Sequence, residues 1–182
     1  MSTVVLVGQT ASGKSTLARC LVKHGFRRVK MYTTREIRIS EERYPEYHHI
    51  STEAFEERLR AGFFTEYTEY DATFGHVYYG TAKEDLEPTS DDKCVMILNP
   101  DGVRALKDAR YDIRVVYLRL PETVLWARAM NRGDSIFEIS RRINADAVKF
   151  FQLEKTGYID LVLACPKYTP EELADEILKR WG

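Results

Sequence analysis

Four short apolar runs recur along the chain: Thr3–Val7, Cys94–Leu98, Ile113–Leu120 and Tyr158–Ala164. Each is followed by a turn signal and then by a stretch with helical spacing of apolar positions: Lys14–His24, Asp101–Arg110, Glu122–Met130 and Pro170–Trp181. Strand-length runs alternating with amphipathic helices predict a parallel sheet covered on both faces. Phe26–Met31 supplies another candidate strand, and a second long helix, Ile136–Leu153, follows Arg132–Gly133.

The pattern changes between Tyr32 and Leu86. A charged, irregular loop (Tyr32–Tyr47) leads into a short strand, Tyr47–Ser51, and then into a helix carrying Phe55 and Leu59 that stops at Gly62. Phe63–Tyr70 and His76–Tyr79 have the aromatic and β-branched character of a small antiparallel sheet. The expectation is one domain over residues 1–182, with a core of 1–31 and 87–182 and an insertion over about 32–86.

Composition narrows the function classes. A length of 182 residues suits one α/β domain with a continuous core, and a formal net charge of -1 gives no electrostatic reason to expect nucleic acid or a membrane surface as partner. No apolar stretch approaches the roughly 20 residues a bilayer span needs. The apolar run near Met1 lacks a basic segment ahead of it and reads as a strand rather than a leader. Cys20, Cys94 and Cys165 stand far apart, which argues against a disulfide framework or a zinc site and for a reducing, cytoplasmic setting.

Candidate chemistry begins at Gly8–Ser15, which reads GQTASGKS and matches G-x-x-x-x-G-K-[ST] between a strand-like run and a helix. Successive main-chain N–H groups of such a loop and the helix N-terminus present positive dipole ends to a phosphate. Gly8, Ala11, Ser12, Gly13, Lys14, Ser15 and Thr16 are therefore candidate ATP-binding residues. Lys14 is expected to reach the β- and γ-phosphates, and the Ser15 hydroxyl to ligate Mg2+. Downstream, Arg35 and Arg38 lie three residues apart beside Thr33 and Thr34, a pattern able to clamp a second phosphate by forked, charge-assisted hydrogen bonds. Tyr47 and Tyr79 add phenolic donors.

On these residues the chain resembles the guanylate kinase family over nearly its whole length. The resemblance is carried by the phosphate loop, by Thr33-Thr34-Arg35 with Arg38, and by Tyr47–Ser51 ahead of Phe55. Further carriers are Gly62–Tyr67, Tyr78-Tyr79-Gly80-Thr81, Asn131-Arg132-Gly133 and Arg142-Ile143. It implies a three-layer α/β P-loop NTPase fold with a mainly parallel sheet, an inserted monophosphate-binding lobe and a short lid over about 132–140. The implied activity is transfer of the γ-phosphoryl group of ATP to a nucleoside monophosphate, GMP or dGMP, with Mg2+, by a monomer or homodimer. Arg35, Arg38, Tyr47 and Tyr79 would hold the acceptor's phosphate, Glu66 would accept from the N1 and N2 donors of guanine, and Thr81 would support the base. Arg132 and Arg142 would be lid arginines closing over the ATP phosphates, with Arg128 a further arginine on that side. Lys14, Arg35, Arg132 and Arg142 then form the catalytic set.

Two positions depart from the family's pattern. Met31 stands where a serine usually bonds the guanine O6, and Ile97-Leu98-Asn99 replaces a D-x-D stretch, with Asp101 two residues beyond. Thr68–Val77 also lengthens the segment between Glu66 and Tyr79. Another acceptor, such as a different nucleoside monophosphate or a ribose bisphosphate, therefore stays open, as does a non-catalytic interaction module. Against a regulatory NTPase switch, the chain has nothing like an N-K-x-D signature.

Overall fold

The computed structural model describes residues 3–37, 47–72, 75–86, 93–164 and 168–182. In chain order the first elements are β1 (Thr3–Gly8), α1 (Lys14–Lys23), β2 (Arg27–Arg28), β3 (Met31–Thr33), β4 (Tyr47–His49), α2 (Thr52–Arg60), β5 (Phe64–Ala72) and β6 (Gly75–Ala82). They are followed by α3 (Lys83–Leu86), β7 (Cys94–Ile97), α4 (Pro100–Asp108), β8 (Ile113–Leu118), α5 (Glu122–Asn131), α6 (Ile136–Glu154), β9 (Leu161–Leu163) and α7 (Pro170–Trp181). The chain divides into two compact units: Met1–Arg28 with Asp92–Gly182, and Val29–Asp91.

The first unit is built on a five-stranded sheet in the order β2-β7-β1-β8-β9, with every neighbouring pair parallel. The central strand β1 pairs on both sides, placing Val5 opposite Met96 and Val115. Val4 and Leu6 face α1 and α7, packing with Leu17, Ala18, Leu21, Ala174 and Ile177. Val5, Val7, Met96 and Val115 point to the opposite face and are also fully buried. On that face Tyr117 stacks on Phe150 of α6, with ring centroids 5.0 Å apart. Burial on both faces explains why these strands read as unbroken apolar runs. A parallel α/β sheet of this kind seats ligands at the C-terminal ends of its strands, where β1 runs into the loop before α1.

The second unit holds a four-stranded mixed sheet in the order β4-β3-β6-β5, with β3 and β4 parallel and the other pairs antiparallel. Phe55 of α2 is fully buried and stacks on Phe64 at 4.3 Å and on Tyr78 at 5.0 Å. Ser51 caps α2 by accepting from the Ala54 N–H, and the chain leaves the helix at Gly62 with φ 68. The expected single strand Phe26–Met31 is divided: Arg27–Arg28 joins the parallel sheet, and Met31–Thr33 joins the mixed one. The sequence marks this stretch as a single candidate strand, but strand pairing, a property of distant residues, decides which sheet each end enters. The same cause adds α3 and shortens β9 relative to the apolar run Tyr158–Ala164.

Candidate active site

The loop from Gly8 to Ser15 leaves β1 and enters α1. A Cβ at Gly8 would stand 2.5 Å from Ser12 Oγ and 2.9 Å from the Leu118 carbonyl oxygen, so only glycine lets the loop fold back this closely. Gly13 caps α1 in the left-handed region, at φ 97, and offers no side-chain cap. By contrast Ser51, Asn99, Ser135 and Thr169 each cap a helix through the side chain. The first-turn N–H groups of α1 are thus positioned to serve an anion. Lys14 Nζ lies inside the loop, donating to the Gly8 carbonyl at 2.6 Å, the Gln9 carbonyl at 2.9 Å and Ser12 Oγ at 3.3 Å. A cation held there supplies charge to a bound phosphate without having to be ordered at the moment of binding.

The three arginines expected on the ATP side, Arg128, Arg132 and Arg142, lie in this unit. Arg128 Nη1 donates to the Ser12 carbonyl at 3.4 Å, which sets it against the loop. Arg132 pairs with Asp134 through two hydrogen bonds, that from Nε being 3.2 Å. Arg142 Nε donates to Glu138 at 2.5 Å, and Arg141 engages the same carboxylate at 2.9 and 3.0 Å. Arg132 and Arg142 are therefore held by acids of their own segment, and a triphosphate would compete with those acids for them.

Asn99 and Asp101, at and beyond the place of the D-x-D stretch, both have partners within the chain. Asn99 Oδ1 accepts from the Gly102 N–H at 2.8 Å as the cap of α4. Asp101 is engaged by Lys149 at 2.5 Å and Arg104 at 3.3 Å. Among the described residues no group of three His, Cys, Asp or Glu side chains is placed to hold a metal ion. Any Mg2+ here would accompany the triphosphate, with Ser15 at the start of α1 as the protein's candidate oxygen ligand.

Sequence reading missed one side chain that touches the loop. Asp146 of α6 accepts from the Thr10 N–H through Oδ2 at 2.8 Å. Burial pushes its carboxyl above the usual range, while the Thr10 bond and the charges of Lys14, Arg142 and Lys149 pull the other way. Nothing in the local pattern of α6 marks this residue, because its partner lies 136 positions away.

In the second unit the sheet gathers the predicted acceptor residues. Arg35 Nε donates to the Tyr79 hydroxyl at 2.9 Å, and its guanidinium lies 5.5 Å from the Tyr47 ring centroid. Tyr47 and Tyr79 meet edge to face at 5.6 Å. The Arg35 backbone is fixed on both sides: its N–H donates to Thr33 Oγ1 at 3.1 Å, and His49 Nδ1 donates to its carbonyl at 2.7 Å. Tyr70, unforeseen, stacks on Tyr79 at 5.6 Å. Arg38 lies outside the described residues.

Glu66 is 4% exposed, and Thr81 Oγ1 donates to its Oε1 at 2.5 Å. Oε2 is buried without a hydrogen-bond partner. Burial raises the carboxyl from 4.5 to about 7, against the smaller lowering effect of its hydrogen bonds to Thr81. A buried carboxylate oxygen with nothing to accept from is costly unless a ligand donor completes it. Met31, one position before the Tyr32–Gly80 pair, comes level with Thr81 and is 6% exposed.

The family model described as Guanylate kinase matches residues 1–163 of the chain. Guanylate kinase of Symbiobacterium thermophilum is 33% identical over 154 residues, covering 82% of this chain and 71% of that protein. MAGUK p55 subfamily member 2 of Rattus norvegicus is 31% identical over 138 residues, covering 72% of this chain and 24% of that longer protein. The crystal structure of guanylate kinase from Anaplasma phagocytophilum matches with a TM-score of 0.72 at 21% identity, over 98% of this chain and 82% of that one. That likeness shows the fold: α/β, with the mainly parallel sheet of a P-loop NTPase.

Proposed function

The chain belongs to the guanylate kinase family, and from that membership and the side chains above we propose that it transfers the γ-phosphoryl group of ATP to GMP or dGMP. Glu66 carries the guanine part of this reading. With Thr81 on Oε1 and nothing on the buried Oε2, it fits a ligand edge bearing adjacent N–H donors. Guanine offers such an edge at N1 and N2, and adenine does not.

Arg35, Tyr47 and Tyr79 would take the acceptor phosphate, and Arg38 falls to the same role by its place in the motif. Gly8, Ala11, Ser12, Gly13, Lys14, Ser15 and Thr16 would hold the ATP phosphates, with Mg2+ on Ser15. Arg128, Arg132 and Arg142 would neutralise charge that develops on the transferring group. The acceptor oxygen is already ionised at neutral pH, so no general base is needed. The protein's task reduces to bringing two anions in line and excluding water. The insertion over about 32–86 would deliver the acceptor, and closure of the lid over about 132–140 would limit ATP hydrolysis.

The test is ADP release from Mg·ATP with GMP, dGMP, AMP and ribose bisphosphate offered separately. The reading expects release with GMP and dGMP and little with AMP. Preferred turnover of ribose bisphosphate or AMP would replace the acceptor while keeping the reaction. The match to a quarter of MAGUK p55 subfamily member 2 supports a second reading, an interaction module without catalysis. Lys14 and Ser15 in an intact loop weigh against it. Absence of both ATP binding and ADP release would favour it.

A further inference from the structure

We infer that Asp146 is a positioning residue for the ATP-binding loop: from helix α6 it fastens the Thr10 amide and so holds the bend at Ala11 in the form that receives a phosphate. The inference rests on the kinase reading and deepens it by adding a side chain that lies outside the loop motif.

The loop needs such a fastening. Ala11 has φ 59, a left-handed conformation that a residue with a Cβ adopts only when its surroundings over-determine it. One side of that constraint is apolar: Ala11 packs against Leu125, Ala129, Ile139 and Ile143. The other is the hydrogen bond on the residue just before it, Thr10 N–H to Asp146 Oδ2 at 2.8 Å. The Ser12 N–H closes the turn by donating to the Gln9 carbonyl at 3.2 Å. Lys14 Nζ also holds that Gln9 carbonyl, so a shift at Thr10 passes directly to the ammonium group that would meet the phosphates.

The choice of a carboxylate has a physical reason. Lys14, Arg142 and Lys149 all bring positive charge to Asp146, and a charge-assisted hydrogen bond holds an amide more firmly than a neutral one. Water would be the alternative partner of the Thr10 amide, and it would leave the backbone free to relax out of the left-handed bend. Arg142 and Asp146 are also one turn apart on a single uninterrupted helix, so they share a face. The helix that carries a lid arginine thereby also sets the shape of the loop.

The test compares Asp146→Ala and Asp146→Asn with the parent protein, reading ATP affinity by calorimetry and KM for each substrate by steady-state assay. Asp146→Ala is expected to weaken ATP binding about tenfold, the size of one charge-assisted hydrogen bond, and to leave the acceptor KM unchanged. Asp146→Asn keeps an oxygen acceptor and is expected to stay within about threefold of the parent, a rescue that general damage to packing would not give. Should Asp146→Ala not fold, Asp146→Ser removes the reach to Thr10 while keeping a polar side chain, and the same loss is expected. ATP affinity within about twofold of the parent in the alanine or serine variant would overturn the inference. So would an asparagine variant as impaired as alanine, or equal losses for both substrates. Calorimetry needs no turnover, so a parent protein that binds ATP but phosphorylates nothing would overturn the kinase reading and leave the Asp146 comparison standing.

Discussion

At pH 7 the carboxyl of Glu66 sits near its own titration point, because burial has moved it from 4.5 to about 7. Only the ionised form accepts from two N–H donors, so the proposed guanine contact would draw a proton off. The acceptor KM should therefore fall as pH rises from about 6 to about 8. Glu66→Gln should flatten that profile and raise the GMP KM. The same shift bears on stability with a definite sign. A folded-state pKa above the unfolded value gives stability that is full below about 4.5 and lost as pH rises through about 7. Glu66→Gln should thus melt higher than the parent at pH 8 and show a smaller difference at pH 5. The gain has an upper bound on the order of 3 kcal/mol. Thermal unfolding at the two pH values checks it; an unchanged difference would remove Glu66 as a buried titrating group. Arg35 makes a separate residue-scale claim. Its Nε is already oriented by Tyr79, so Arg35→Ala should raise the acceptor KM by about tenfold or more and leave the ATP KM near the parent's. Unchanged acceptor KM in steady-state assays would contradict its assignment.

Helix ends decide how the segment proposed as the lid is held. Ser135 caps α6 by accepting from the Glu138 N–H at 3.2 Å, and Glu138 in turn engages Arg141 and Arg142. Ser135→Ala should cost about 1 kcal/mol of stability, read by denaturant unfolding. If Ser135 helps to order the lid segment, the variant should also show more acceptor-independent ADP release. The elements were legible in the sequence where structure is local. The strand-loop-helix around Gly8–Ser15, the stop of α2 at Gly62 and the long α6 all follow from short-range patterns. Strand partnership was not legible: Arg27–Arg28 and Met31–Thr33 belong to different sheets, although Phe26–Met31 reads as one candidate strand. Among the candidate residues, Arg35 meets Tyr47 and Tyr79, and Glu66 meets Thr81. Asp146 and Tyr70 could not be foreseen. The first reaches its partner across most of the chain, and the second depends on the register of the β5–β6 hairpin.

At the scale of the whole molecule, one unit's parallel sheet presents a phosphate loop, and the other unit's mixed sheet presents an arginine, two tyrosines and a buried carboxylate. No helix among the described residues is long and apolar enough to cross a membrane, and the net charge of -1 offers no polyanion a broad basic surface. On the proposed reading, small anionic substrates are captured by local clusters of donors, with Lys14 at the centre of the nucleotide side. Lys14→Ala should abolish transfer while leaving the unfolding midpoint within a few degrees of the parent's, because the ammonium contacts the loop rather than the core. The most direct measurement follows the phosphoryl group itself: γ-labelled ATP and GMP are incubated with the protein and Mg2+, and the label is traced. On the kinase reading, label is expected in GDP, none is released as inorganic phosphate beyond background, and Lys14→Ala transfers none. Label appearing as free phosphate at the same rate with or without GMP would contradict it.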